Sequence, residues 1–298
     1  MSVGVSIIIC TFKRPELLNE CLTSFTQQTY LPSNIEFLVI DNSGDTATKE
    51  IVSAFQTSLP GIKYLVENKV GLSFARNRGI VESKNDWICY TDDDAKVHAD
   101  FIERLIHTIT HFEFDAFGGM FYPWYRNPKP DWFPNEFGTL RILRTSTGTL
   151  KFGQSIAGGI SAFKKDKLIE AGGFPTEIGM RGNTVGYGEE DFVVKKMWAN
   201  GCVIGFDPHW KMDHLVAEYK YTLHWQLKRS FAKGRDAQLK KEPLSVYERI
   251  VFFIRAILTI PYLFLINLQG VLKKNYYIQN YILDSLRYSV RLFGKISA

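Results

Sequence analysis

The sequence predicts an α/β body, a mostly parallel sheet wound with helices, followed by a C-terminal helical region. Three observations predict this. Short apolar, β-branched runs alternate with stretches of helical apolar spacing through the first hundred residues. The runs are apolar on both faces, as parallel strands covered on both sides are. Basic charge is concentrated behind them: residues 215–298 hold 14 Lys and Arg against 5 Asp and Glu, while the rest of the chain is mildly acidic.

The elements follow in order. Val5 to Cys10 reads as a buried strand, and Pro15 after it suits a first helical position. Leu17, Leu18, Cys21, Leu22 and Phe25 then recur at helical spacing. A second strand is predicted at Ile35–Ile40, a helix over Thr46–Thr57, a third strand at Ile62–Val66, a helix over Gly71–Val81 and a fourth strand at Trp87–Tyr90. Four alternations predict a parallel sheet. In such sheets ligands bind beyond the carboxyl ends of the strands, which here carry Thr11, Asp41, Asn68 and Asp92–Asp94. Further on, a helix is expected over Val97–Thr110 and a strand over Gln154–Phe163, where Gly158-Gly159 permits a close backbone approach.

Composition excludes several classes. With 298 residues, 45% hydrophobic and 22% charged, the chain is globular and needs no disulfide or structural metal to fold. The four cysteines lie far apart without a CxxC pair, which excludes a zinc ribbon and reads as reduced thiols in a cytosolic compartment. Residues 1–20 show no secretory signal pattern. Neither GxGxxG after the first strand nor GxxxxGK[ST] occurs, so a bound nucleotide needs its charge neutralised in another way.

Two acidic clusters carry the chemistry. Asp92-Asp93-Asp94 ends a predicted buried strand, where three adjacent carboxylates are costly without a cation; a hard divalent ion would bridge them to a diphosphate. A solvated turn or helix cap is the bland alternative. Glu189-Glu190-Asp191 reads as a helix start, where acids favour the helix dipole or, aimed at an acceptor hydroxyl, act as a general base. His107 and His111 lack an HExxH context and read as surface or core residues, and His209 beside Trp210 as a packing residue.

Ser6–Thr11 with Arg14, Asp41-Asn42, the run Asn68–Asn77, the Asp92–Asp94 run, Gly172-Gly173-Phe174, Gly188-Glu189-Glu190 and Asp213-His214 stand in the order seen in family-two glycosyltransferases, which this chain resembles over roughly residues 4–240. The resemblance implies the GT-A fold, with a Rossmann-like, mostly parallel sheet. It implies a metal-assisted, inverting transfer of sugar from a nucleotide diphosphate sugar to an acceptor hydroxyl. By position, Thr11, Arg14 and Asp41 would line the base and ribose pocket, and Asn68, Gly71, Arg76 and Asn77 would close over the nucleotide. Asp92 and Asp93 would lie against the nucleotide sugar. Asp94, Asp92 and His214 would hold Mg²⁺ or Mn²⁺, and Glu190 would be the base, with Asp191 the alternative. Arg76 reads equally as an added charge at the site or an ion-pair partner inside the fold.

The implied organisation is a catalytic domain over 1–242, with a nucleotide-binding half over 1–95 and an acceptor half over 96–242, then a helical region over 243–298. Aromatics in Met120–Thr149 would hold a saccharide or pack as a loop. Ile250–Leu268 has 15 apolar residues of 19, close to a membrane thickness as a helix, but contains Arg255 and Pro261. Basic residues flank it on both sides: Lys240, Lys241 and Arg249 before, Lys273 and Lys274 after. This favours burial in one leaflet of an anionic membrane surface, on its cytoplasmic face, over a full span, and membrane over nucleic acid as the partner of the basic tail. Tyr276–Phe293 reads as an interfacial amphipathic helix; a helical subdomain is the alternative for both segments. A lipid-linked acceptor would explain the tail. A nucleotidyltransferase, or a non-catalytic nucleotide-binding protein, are the competing classes.

Overall fold

The computed structural model describes residues 3–140, 142–182, 184–239 and 241–298. The chain forms two compact units. The first comprises Met1–Trp124, Gly138–Glu177 and Glu189–Leu215; the second comprises Tyr125–Phe137, Ile178–Gly188 and Val216–Ala298.

The first unit is built on one sheet. Its strands among the described residues are β1 (Val5–Thr11), β2 (Ile35–Asp41), β3 (Lys63–Val66), β4 (Trp87–Asp92), β5 (Ala95–Val97), β6 (Ala116–Trp124), β7 (Gly148–Thr149), β8 (Ile160–Lys164) and β9 (Ile204–Leu215). They run in the order β3-β2-β1-β4-β8-β6-β9-β5, with β7 on β9. The first four strands pair in parallel, as the alternating pattern predicts. Beyond β4 the pairing is mixed: β8 runs antiparallel to β4 and β6, and β9 parallel to β6. Helices α1 (Pro15–Thr26), α2 (Thr46–Ala54), α3 (Leu72–Glu82), α4 (Phe101–His111), α5 (Lys165–Glu170) and α6 (Glu189–Ala199) complete it. The two sheet faces carry separate apolar clusters, one around Ile7, Ile9, Phe25, Phe37 and Phe101, the other around Ile8, Tyr90, Phe163 and Val193. Alternate residues of β1 thus serve opposite cores, which is why its sequence is apolar throughout.

Several expectations are corrected. The helix expected from Val97 begins at Phe101, because Ala95–Val97 is a strand held by β9, with Ala95 paired to His214. The strand expected from Gln154 starts at Ile160, after a turn in which Ile160 N–H donates to Ala157. His209 is exposed rather than packed: strand alternation on β9 turns the neighbouring Trp210 fully into the core instead. The four cysteines are free thiols, and burial pushes Cys10 and Cys89 up to about 12.

The second unit is helical. It contains α7 (Leu223–Leu239), α8 (Val246–Asn267) and α9 (Ile278–Ile296). Phe133, Val216 and Tyr221, with Tyr125, Trp132 and Phe137, form its aromatic cluster, so the aromatics past Trp124 pack as a loop. Helix α9 is not a free interfacial helix: Leu283, Ser285, Ser289 and Leu292 are buried, and it packs on both α7 and α8. Helix α8 opens with a capping box of Ser245 and Glu248 and continues through Pro261. Over Val246–Leu272 it is long and apolar enough to cross a membrane, and little of it is buried. The flanking Lys240 lies outside the described residues.

Candidate active site

Register places the site. Thr11 pairs with Asp41, and Cys10 with Asp92, so the carboxyl ends of β2, β1 and β4 finish side by side. The chain turns directly after β4, which delivers Asp92, Asp93 and Asp94 to that edge. The β5–β9 pairing then sets His214 beside them.

The three aspartates have three environments. His214 Nε2 lies 3.2 Å from Asp94 and 3.6 Å from Asp92. Ligand atoms of Asp92, Asp94 and His214 all fall within 4.8 Å of one another. Two carboxylates and an imidazole at that spacing suit a hard or borderline divalent ion. Burial opposes the charge on Asp92, but His214, Arg76 and Arg14 outweigh it and hold this carboxyl at about 2. Asp93 points inward. It accepts the Thr11 hydroxyl at 2.7 Å and faces the Arg14 guanidinium at 2.9 Å. Burial, with Asp94 and Asp92 beside it, lifts Asp93 to about 7 although Arg14 and Thr11 pull the other way. Thr11 and Arg14 therefore brace the acidic run, and Arg14 also reaches Asp94 at 3.3 Å.

Arg76 is the second centre. Only 4% of its side chain is exposed; it pairs with Glu189 at 3.1 Å and approaches Asp92 at 3.9 Å. Burial works against its charge, but Glu189, Asp92 and Glu190 outweigh that and raise its pKa. Its guanidinium lies over the rings of Phe174 and Tyr90. Arg76 is thus an ion-pair partner inside the fold that also lies close to the acidic run. The close approach at Gly158-Gly159 is made by these side chains: a Cβ on Gly158 would meet Arg76 at 2.7 Å, and one on Gly159 would meet Asp92 at 2.0 Å.

Glu189, which the sequence reading left without a role, is the buried partner of Arg76. Its signal was the acid at the first position of α6, turned into the core by helical spacing with Val193 and Met197. Glu190 is partly buried beside it. Burial, with Glu189 and Asp191 adjacent, pushes Glu190 up to about 8 against the pull of Arg76.

Other expected site residues do framework work in this conformation. Both oxygens of the fully buried Asp41 are engaged, by Ser43, the Asp45 N–H and the Tyr64 hydroxyl. Asn77 is engaged in a similar way: its amide accepts from Phe174 N–H and donates to Phe174 carbonyl, clamping the residue that lies over Arg76. Asn68 is exposed on the loop before α3. Asn42 anchors that loop, donating to Glu67 and Lys69 and accepting from Gly71 N–H at 2.6 Å. Gly71, with φ +151°, takes a backbone conformation that favours glycine.

A mostly parallel sheet ending in a carboxylate–histidine cluster, in a sequence with no GxxxxGK[ST] phosphate loop, is the arrangement of GT-A glycosyltransferases, and solved structures share the fold. A mannosyltransferase from Pyrobaculum calidifontis, in complex with GDP-Man and Mn²⁺, superposes with a TM-score of 0.58 at 18% identity, over 79% of this chain and 63% of its own. S. aureus TarS in complex with UDP gives 0.57 at 16%, over 78% and 65%. This chain therefore spans less than two thirds of either. It belongs to glycosyl transferase family 2, whose family model matches residues 6–167. Among curated relatives, a glucosyl-dolichyl phosphate glucuronosyltransferase of Haloferax volcanii is 26% identical over 77% of this chain and 75% of its own. The succinoglycan biosynthesis protein ExoM of Rhizobium meliloti is 24% identical over 78% and 74%.

Proposed function

We propose that this glycosyltransferase moves a sugar from a nucleoside diphosphate sugar to an acceptor hydroxyl in one inverting displacement. The observation that carries this is the Asp92–Asp94–His214 cluster beside the Arg76–Glu189 pair. The donor set fits Mg²⁺ or Mn²⁺, held by Asp94, Asp92 and His214; when bound, such an ion offsets charge on the leaving diphosphate. Asp93, Thr11 and Arg14 hold the two flanking aspartates at fixed positions. Arg76, kept charged by Glu189, adds a positive field next to Asp92.

Glu190 is the base in this reading. It takes the proton of the acceptor hydroxyl as that oxygen bonds to the anomeric carbon, and the bond from that carbon to the diphosphate breaks on the opposite face. A pKa of about 8 lies within about a unit of neutrality, and a general base is most effective when its pKa is near the pH at which it works. Asp41, Asn68, Gly71 and Asn77 shape the nucleotide pocket, and the Asn42-anchored loop before α3 covers it. We assign catalysis to the first unit and membrane attachment to 243–298. The apolar helix α8, and the lipid-phosphate sugar in the name of the Haloferax relative, support a lipid-linked acceptor at a membrane, and we assign it to the cytoplasmic face.

The test is nucleotide binding and transfer with UDP- and GDP-sugars. Thermal unfolding should shift upward with UDP or GDP plus Mn²⁺, because binding to the folded state stabilises by mass action. Asp94→Ala should abolish both the Mn²⁺-dependent shift and transfer while keeping the unfolding transition. Full transfer by Asp94→Ala in chelator would overturn the assignment.

A further inference from the structure

We propose that the second unit carries a phosphate-binding pocket that takes the phosphate or diphosphate of a membrane-borne lipid. This rests on the reading above that the acceptor is lipid-linked, and it names the residues that would recognise it. A cavity of about 470 Å³ lies among α7, α9 and the segment around Trp132–Phe137. That volume suits a small ligand group.

Four cations line it. Arg229 and Lys233 come from α7, Arg287 and Arg291 from α9, and the one carboxylate among the lining residues is Asp284. Each basic pair is spaced i, i+4, so both of its members share a helix face. Asp284 is engaged by Arg287 at 3.8 Å. Four like charges around one cavity repel unless an anion or bulk water screens them. A phosphate monoester carries about −1.5 to −2 charges with several acceptor oxygens, and arginine forks match that geometry.

The approach of the two helices is built in. A Cβ on Gly234 would meet the Arg291 carbonyl at 1.9 Å, and a Cβ on Gly294 would meet the Phe231 carbonyl at 2.0 Å. Glycine inside a helix is less favourable than alanine, so propensity is given up for a close crossing, and this crossing brings the two basic pairs to one cavity. The aromatic wall orients them further. The Arg229 guanidinium lies 4.8 Å from the Phe137 ring centroid, and Asn280 of α9 donates to the Trp132 carbonyl at 2.9 Å. The cavity is thus cationic on two sides and aromatic on the third, which suits a phosphate with an apolar substituent better than free phosphate.

The position of α9 points to a lipid as the carrier. The same helix that presents Arg287 and Arg291 packs on α8, through Thr259–Ser289 at 2.9 Å and Phe253–Phe293 at 6.0 Å between ring centroids. Helix α8 leaves Ile254, Leu258, Tyr262 and Leu265 more than half exposed. With α8 in the hydrocarbon, α9 holds its arginines on a helix fixed to the membrane anchor. Phosphates of lipids are concentrated at that level.

The experiment uses full-length protein in chelator, so that the carboxylate cluster holds no ion. Retention is measured on neutral phosphatidylcholine vesicles, on the same vesicles doped with a long-chain polyprenyl phosphate, and on vesicles doped to equal charge with phosphatidylglycerol. Polyprenyl phosphate should tighten retention about 5- to 30-fold over neutral vesicles, the scale of one to two well-placed cations. Phosphatidylglycerol should give less, and inorganic pyrophosphate should compete the increment away. Lys233→Gln combined with Arg291→Gln should erase the increment and keep neutral-vesicle retention. An unchanged increment in that variant overturns the pocket, and an equal increment from phosphatidylglycerol overturns its preference for a phosphate monoester. Pyrophosphate binding without any vesicle increment overturns the lipid source. If the double variant loses its fold, competition on the wild-type protein decides alone. Nucleotide-induced thermal shifts report separately on the proposed function, so failure of one reading does not imply failure of the other.

Discussion

Glu189 and Glu190 are sequence neighbours with different surroundings. Glu189 pairs with the Arg76 guanidinium at 3.1 Å, while Glu190 beside it is pushed up to about 8 by burial and by the adjacent carboxylates. Glu190→Gln keeps the shape and removes the base, so turnover should fall by about 10²–10⁴ with donor affinity little changed, as read by steady-state kinetics. The sign of its pH dependence follows from the raised pKa. At pH 7 Glu190 is mainly protonated in the free enzyme and becomes a base as pH rises through about 8, so kcat/KM should climb across that window. The residual rate of Glu190→Gln should lack that limb. For stability the sign is opposite: the unfolded chain ionises from about 4.3 upward while the folded one holds its proton, so this group's contribution is lost as pH rises toward 8. Asp207 is the reverse case. It is fully buried, and burial opposes its charge, but Arg104, Thr108, the His209 N–H and Thr147 outweigh this and lower its pKa. Its contribution is complete above the ordinary carboxylate range and lost as pH falls through its lowered value. Asp207→Ala leaves Arg104 and two hydroxyls without this partner and should cost about 3–5 kcal/mol, measured by urea unfolding at pH 7, with less at pH 3.

At the scale of elements, glycines set how closely segments pass. Gly159 precedes β8, and its missing Cβ makes room for the Asp92 carboxylate. Gly159→Ala should displace that carboxylate, so the Mn²⁺-dependent nucleotide thermal shift should weaken roughly tenfold in apparent affinity, about 1.4 kcal/mol, while the melting temperature without ligand changes little. The α7–α9 crossing is tighter, because backbone lies opposite backbone at both Gly234 and Gly294. Gly234→Ala gains helix propensity of about 1 kcal/mol but should still destabilise the protein, because overpacking at a site with no flexible neighbour costs about 1–3 kcal/mol. A stabilised Gly234→Ala protein in chemical denaturation would show that the crossing is looser than its geometry.

For the whole molecule, each unit has its own source of stability. The first is a sheet with an apolar cluster on each face. The second is three helices, of which α8 keeps a large apolar surface toward solvent. In water such a surface favours association, and a bilayer removes it from water at about 1.5–3 kcal/mol per large side chain. Arg255 does not prevent this, since its guanidinium lies over the Tyr288 ring of α9 and the long stem of an arginine lets its charged head reach the polar interface. Leu258→Lys with Leu265→Lys should weaken vesicle binding by roughly 10²- to 10⁴-fold in a flotation assay. The fold should be unchanged, because both side chains are more than 60% exposed.

The alternation of strands and helices, the parallel first half of the sheet, the acidic run at the end of β4 and the acidic start of α6 were all legible in the chain. They are local: apolar period and turn chemistry are written within a dozen residues of each element. The pairing of β5 with β9 was not legible, and with it went the true start of α4, since three residues such as Ala95–Val97 carry no period and become a strand only when a distant partner hydrogen-bonds to them. Likewise Glu189 could not be told from Glu190, nor Arg76 assigned a partner. Burial of a charge is decided by what packs over it, and Phe174, Tyr90 and the bare backbone of Gly158 reach Arg76 from separate parts of the chain. Composition identified an apolar run at Ile250–Leu268 and a basic tail. Whether α9 lay on a membrane or on its neighbours depended on two glycines finding backbone opposite them, a long-range coincidence that no residue pattern encodes.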